Sequence, residues 1–312
     1  MYYPILRGRQ NELLAIRELV QSDKLTHVVP VIEPVKSSST LLTTIQALEA
    51  CKHTFVIVAN PTIGSLANDL DHDAVFSERY ERILRSSSDA VFAFRPNKAT
   101  TPIVDAPNRK IAYFYEKEHE AWYLEMCKYR QPDYTFIPTG DSRRRRRISG
   151  EAISLETKYE PRKKNADYRY SDDDFLTEEH LFFRDEGFIG FADYSIIGDD
   201  YNEGGFMPQV VALHLTYFSS TNEVRIRHFI SEDDYAEKDI AGKFHDALSK
   251  LVLWAKKNEV HSTEGLKEYF SIYDSDRFPG LGYAKKLSLK HHMEMMNSYL
   301  EESDELLPQV LQ

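Results

Sequence analysis

Along the first two thirds of the chain, short continuous apolar runs alternate with stretches where apolar residues recur every three or four positions. The runs cover residues 3–6, 28–32, 55–59, 90–94, 111–115 and 134–138. Such runs suit parallel strands covered on both faces, and their Val, Ile and Phe content favours strand over buried helix. Between them, residues 11–21 set Leu13, Ile16 and Val20 on one helical face. Ser39 or Thr40 is placed to cap a second helix carrying Leu41, Ile45 and Leu48. Residues 76–84 and 120–127 read as weaker helices. Six βα units in succession demand a parallel sheet with right-handed crossovers. Residues 152–156 and 188–193 bring the strands to eight, the number that closes a (β/α) barrel. An open doubly wound sheet is disfavoured, because no Gly-rich turn follows the first strand. The expected fold class is α/β, a (β/α)8 TIM-barrel-like fold.

The second half adds to that plan. Residues 210–217 and 223–229, joined by Ser219, Ser220, Thr221 and Asn222, predict an inserted antiparallel hairpin. Ile240, Phe244, Leu248 and Leu251 then mark a long helix that ends at Lys256 and Lys257. Residues 262–312 read as a C-terminal helical extension, so the expectation is one domain over 1–312. Leu13, Ile16, Val31, Val56, Ile57, Phe92, Phe244 and Leu248 are the expected core.

Composition narrows the function classes. The 312 residues are 42% hydrophobic and 29% charged, with a net charge of −11 that argues against a general nucleic-acid coat protein. Two cysteines, Cys51 and Cys127, cannot build a disulfide framework and fit a reducing compartment. No apolar run approaches the roughly 18–20 residues of a membrane span, and the N-terminus lacks a signal-peptide core. A cytoplasmic location with no membrane is expected.

Several stretches occur in order: MYYPILRGRQNELLAIREL, VVPVIEPVK, KKNADY, FADYSIIGDDYNEGGFMPQVVALHLTY, IRHFISEDD, AGKFHDALSKL and FPGLGYAKKLSLKHH. Together the chain resembles the bacterial and phage "beta protein" family of barrel-like proteins. Within it, the likeness is to a subgroup often encoded beside a nuclease-like protein. The resemblance implies a barrel fold and an association with antiviral defence, and assigns no catalytic residue.

In a parallel barrel, working residues follow the carboxyl ends of the strands. That rule selects Arg7 and Gln10, then Glu33 and Lys36, Asn60, Arg95 and Asn97. It continues with Glu116 and Glu118, Asp141 and the arginines from Arg143, Glu156 and Lys158, and finally Asp193. Glu33, Glu116 and Asp193 are the candidate catalytic carboxylates. Arg7, Lys36, Asn60, Arg95, Arg143 and Lys158 are the candidate ligand-binding side chains. Arg7 and Glu33 can form a structural ion pair, or the glutamate can hold a guanidinium fork toward an anion. Glu33, Glu116, Asp141, Glu156 and Asp193 are possible oxygen ligands for Mg²⁺ or Mn²⁺. Strand ends are polar in most barrels, which is the plainer explanation for any single residue.

Charge is also polarised. Residues 143–164 hold nine cations against three acids, and residues 171–205 hold eleven acids against one arginine. The plain reading is mutual neutralisation; the functional one is a phosphate-binding rim. The adjacent His291 and His292 face different sides of a helix and suggest a solvated surface. His214, between leucines, reads as a hydrogen-bonded structural histidine. Lys285, Lys286 and Lys290 are placed to meet an acidic partner. Motifs for a P-loop, a nucleophile elbow or a dinucleotide fold are missing, and no lysine ends the sixth strand for Schiff-base chemistry. Two readings result. One is a barrel binding or processing a phosphate-bearing ligand, a nucleotide or a nucleic-acid end. The other is a non-catalytic module partnering a nuclease-like protein.

Overall fold

The computed structural model describes residues 1–96, 109–140, 145–201, 209–232 and 238–310. The chain divides into two compact units. Residues 1–23, 27–156 and 179–194 form the first, and residues 24–26, 157–178 and 195–312 the second.

The first unit is a closed barrel of eight parallel strands. In order around the ring these are β1 (Tyr2–Leu6), β2 (Val31–Ile32), β3 (Phe55–Val58), β4 (Ala90–Phe94), β5 (Ile111–Phe114), β6 (Tyr134–Pro138), β7 (Glu151–Leu155) and β9 (Gly190–Asp193). All eight lie where the apolar runs place them. The second is shorter than its run, because Pro30 lacks an amide for the ladder; Val28 only bridges to Tyr2.

Register sorts the side chains, since partners across a sheet share a face. Ile5, Val31, Val56 and Val91 form one such row. Ala93, Ala112, Phe114, Phe136 and Ile153 continue it around the ring, and Ala192 opposite Tyr3 closes it. Tyr3 meets Phe136 edge-on at 5.8 Å from a strand well around the ring, so this row faces the interior. All of these residues are buried, each contributing about 1.5–3 kcal/mol where large. Phe92 belongs to the opposite, outer row. It is half-buried under the Arg109 guanidinium, 4.6 Å from its ring, rather than part of the core.

The helices between strands follow the sequence with shifted ends. They are α1 (Gln10–Gln21), α2 (Ser39–Ala50), α3 (Leu66–His72), α4 (Ala74–Ser86), α5 (Glu120–Tyr129) and the single turn α6 (Glu179–Phe182). The cap of α2 is Ser38, not Ser39 or Thr40: the Leu41 amide donates to its hydroxyl at 3.1 Å. Asp73 caps α4 likewise, while Arg109 donates to the C-terminal carbonyls of Leu84 and Arg85.

The second unit holds a three-stranded antiparallel sheet in the order β10 (Ala212–Phe218), β11 (Val224–Ile230), β8 (Asp173–Thr177). The hairpin is the expected one. Strand β8 is too acidic to read as a strand, and its neighbours explain why it forms: Arg227 pairs with Asp172, Arg225 with Asp173, and Arg162 with Asp174. Leu213, Leu215 and Phe229 pack with Phe244, Leu248 and Leu251 of α7 (Ile240–Lys257) and with Leu266 and Tyr269 of α8 (Glu264–Asp274).

Helix α9 (Leu281–Val310) overturns two expectations. His291 and His292 are fully buried, not solvated. The His291 Nε2–H donates to the Thr216 carbonyl at 2.8 Å, and its Nδ1 meets the Thr263 hydroxyl at 2.7 Å. Lys286 and Lys290 are buried too, Lys290 beside Glu268 at 3.6 Å, so neither is displayed to a partner. Among the described residues no helix is long and apolar enough to cross a membrane.

Candidate functional site at the carboxyl ends of the barrel strands

The inward row continues past the strand ends as Arg7, Glu33, Arg95, Glu116 and Tyr194, each two residues beyond an inward residue of its strand. Gly8, at φ +63°, turns the chain directly after Arg7. A side chain there would press on Pro34 at 3.1 Å, so the first two strand-end loops lie against each other. The Glu33 amide donates to the Leu6 carbonyl at 2.8 Å and fixes the glutamate beside Arg7.

Glu33 is the centre of the cluster and is almost fully buried. One carboxylate oxygen accepts from Arg7 Nη1 at 2.5 Å, and the other lies 3.2 Å from Arg95 Nε. Two guanidinium groups therefore share one carboxylate. Tyr194 fills the space beside them: the Arg7 guanidinium lies 4.5 Å from its ring, and Arg95 Nη2 donates to its hydroxyl at 2.8 Å. Arg95 also covers the Phe114 ring at 4.0 Å. Burial works against the charge of Arg95, yet Tyr194, Glu33 and Glu116 outweigh it and raise its pKa above the ordinary arginine value. Asn60 accepts from the Arg95 amide at 2.9 Å and donates to its carbonyl at 2.8 Å, which holds that backbone in place.

The rim is wetter. Glu116 is half-buried, 3.9 Å from Arg95 Nη1, and its other oxygen lies 3.0 Å from His119 Nδ1. A carboxylate–imidazole pair beside a fixed guanidinium is a setting for proton transfer as well as for anion binding.

Other candidate residues lie elsewhere. Asp193 is on the outer row, where the Tyr2 hydroxyl donates to it at 2.7 Å; the three candidate carboxylates do not converge. The cause is strand alternation: Ala192 and Tyr194 face inward, so Asp193 between them cannot. Lys36 is exposed and acts on Asp69. Gln10 is exposed at the start of α1, and Glu118 is exposed as well. Glu156 accepts from Thr139 at 3.1 Å. Lys158 belongs to the second unit, exposed and 3.7 Å from Glu178. Arg143, Asp141 and Asn97 lie outside the described residues. Of the arginine run, Arg145 stacks on Phe188 at 4.3 Å and Arg147 reaches Glu120 at 4.0 Å. Among the described residues no three carboxylate, histidine or cysteine side chains gather to hold a metal.

Tyr194 and His119 are the residues that sequence reasoning missed. Alternation counted one step past the last strand would have found Tyr194. His119 sits three residues beyond Glu116 in a turn that no apolar period marks. No protein-family model matches the chain, and no curated protein does either.

Proposed function

We propose that the barrel binds an anionic, phosphate-bearing ligand over Arg7 and Arg95 at the carboxyl ends of its strands. The observation that carries this is the shared carboxylate: Glu33 holds two guanidinium groups side by side just past the carboxyl ends of the barrel strands. Guanidinium forks match phosphate geometry, and a fork held by a buried acid loses little freedom on binding. Glu33 is then a positioning residue. Glu116 with His119 is the pair that stands where a bound ligand can exchange a proton with it. The polar strand ends and their cations bring a nucleotide or a nucleic-acid end to the front of the candidates, and the resemblance to the beta protein family suggests an antiviral setting.

The partner-module reading drew on charge polarisation. Within the second unit, Asp172, Asp173 and Asp174 engage Arg227, Arg225 and Arg162, so that acidic stretch supports it less.

The test is a thermal-shift and calorimetric screen of the full chain against inorganic phosphate and nucleoside mono-, di- and triphosphates, with and without Mg²⁺ or Mn²⁺. A ligand that binds only the folded state raises Tm. Arg7→Ala should weaken its binding by about 1.5–3 kcal/mol, the range for a hydrogen bond to a charged group. If no phosphate compound moves Tm, or if Arg7→Ala and Arg95→Gln bind as well as the parent, the barrel reading falls and the partner module takes its place.

A further inference from the structure

Glu33 engages Arg7 with one carboxylate oxygen and Arg95 with the other, and its side chain is 1% exposed. Two guanidinium groups against this one acid leave a single positive charge in the cluster. Arg95 turns Nε toward Glu33 and donates from Nη2 to the Tyr194 hydroxyl. Its remaining nitrogen, Nη1, makes no hydrogen bond among the described residues. The acid beside it is Glu116, whose Oε1 lies 3.9 Å away. That gap is too long for a hydrogen bond. His119 Nδ1 lies 3.0 Å from the other Glu116 oxygen, so Oε1 is the one left facing Arg95. The Arg95 side chain is 11% exposed and that of Glu116 39%, which puts this pair where the cluster meets solvent.

A donor and an acceptor set this far apart ask for a ligand that offers both in return. A phosphate that keeps one proton does so. One of its oxygens accepts from Arg95 Nη1, and the neighbouring P–OH donates to Glu116 Oε1. A fully deprotonated dianion sets a second negative charge against an ionised Glu116 and brings no donor. An internal phosphodiester has one negative charge and no donor either. Glu116 therefore sorts anions by whether they carry a proton.

We infer that Glu116 is a specificity-determining residue and that the barrel takes a terminal phosphate in its singly protonated form, in preference to a phosphodiester or sulfate. This rests on the anion-binding reading of Arg7 and Arg95 and narrows it. The ligand group is the one shared by free phosphate, a mononucleotide and the phosphorylated end of a nucleic acid.

Calorimetry on the full chain tests this at pH 6, where about half of a phosphate monoester keeps its second proton. Four probes are compared: inorganic phosphate, sulfate, oligothymidylate with a 5′-phosphate and the same oligothymidylate with a 5′-hydroxyl. Inorganic phosphate should bind about 10- to 100-fold tighter than sulfate, the range of one hydrogen bond to a charged group. In the oligonucleotide pair, a gain from the 5′-phosphate marks a nucleic-acid end as the source, and no gain marks a small phosphate compound. Glu116→Gln, at a partly exposed position, supplies an amide that donates as well as accepts, and should bring sulfate to within about threefold of phosphate. Sulfate binding as tightly as phosphate to the parent overturns the inference and leaves the anion site standing. A preference unchanged in Glu116→Gln overturns it as well, because another group then reads the proton. If none of the four probes binds, the anion-binding reading of the barrel falls and this inference falls with it.

Discussion

Two buried polar networks, one in each unit, are built from opposite chemistry. In the barrel, Glu33 lies between Arg7 and Arg95. In the second unit, Asp174 accepts from His228 Nε2–H at 3.0 Å, and His228 Nδ1 meets His214 Nδ1 at 2.7 Å. Since the carboxylate takes the His228 Nε2 proton, the second bond is donated by His214 when both rings are neutral. Tyr168 packs on both rings, at 4.8 and 4.2 Å. A guanidinium keeps its proton at any ordinary pH, so Arg7 and Arg95 remain cations beside Glu33. A buried imidazole gives its proton up instead. Burial first, then His228 and Lys285, lower the His214 pKa to about 3, and burial lowers His228 as well. The barrel cluster keeps its charges and pairs them, whereas the buried imidazoles of the second unit stay neutral.

The sharpest way to break that contrast is to remove the acid that organises the arginines. Glu33→Leu strands two buried guanidinium groups without their carboxylate and should cost about 3–5 kcal/mol in urea unfolding. Glu33→Gln, which keeps one oxygen, should cost less. A loss below about 1 kcal/mol for Glu33→Leu would mean water already reaches the cluster. The core of the second unit offers a purely apolar comparison. Phe244 is fully buried, and Phe244→Ala should also cost about 3–5 kcal/mol. Phe92→Ala, at a half-buried position outside the barrel, should cost clearly less by the same assay. The reverse order would place the two rings wrongly.

Acid separates the units next. His291 is lowered to about 4 by burial, against the opposing bond to the Thr216 carbonyl, and His214 to about 3. Both folded values lie below the unfolded value near 6.5. The folded state therefore favours the neutral ring. This contribution is fully present above about pH 6.5 and is lost as pH falls toward the folded values. Between about pH 6 and pH 4, each ring should lower stability by up to about 1.4 kcal/mol per pH unit. Urea midpoints across that range give the slope, and His214→Gln combined with His291→Gln should flatten it. If the slope persists unchanged in the double variant, carboxylates carry the acid sensitivity and the contrast between units fails.

The barrel was legible in sequence because parallel strands buried on both faces need unbroken apolar runs. Even β7 stands where strand counting demands it. The fixed alternation of a strand then sets the inward ring, so Arg7, Glu33 and Arg95 could be named from position alone. The same alternation turns Asp193 outward at the end of β9 and sends Tyr194 inward. Strand β8 stayed hidden because its acids are matched by distant arginines, Asp173 by Arg225 some fifty positions later and Asp174 by Arg162 before the strand, and no local period reveals such pairs. His291 and His292 misled for a related reason. A helix buried on nearly every side shows no polar face, so two polar neighbours looked like solvent contacts. Their partners, Thr216 and Thr263, lie on other elements.

The smallest effect tests how finely local structure and site are coupled. Helix α2 follows the loop that carries Glu33, and the run of Ser37, Ser38, Ser39 and Thr40 offers four residues able to cap it. Ser38 alone has both the extended backbone of a cap, at φ −158° and ψ 146°, and the bond from the Leu41 amide. Ser38→Ala should therefore cost about 1 kcal/mol, while Ser39→Ala, one residue inside the helix and exposed, should stay within about 0.5 kcal/mol. Glu33 is tied separately, through its own amide to the Leu6 carbonyl. Removing the cap should thus lower the urea midpoint without changing the affinity for any ligand found at the barrel mouth. Equal losses for the two serines would mean the helix start slides along the run. A Ser38→Ala variant that binds more weakly would mean the cap, and not the strand ladder, holds Glu33 in place.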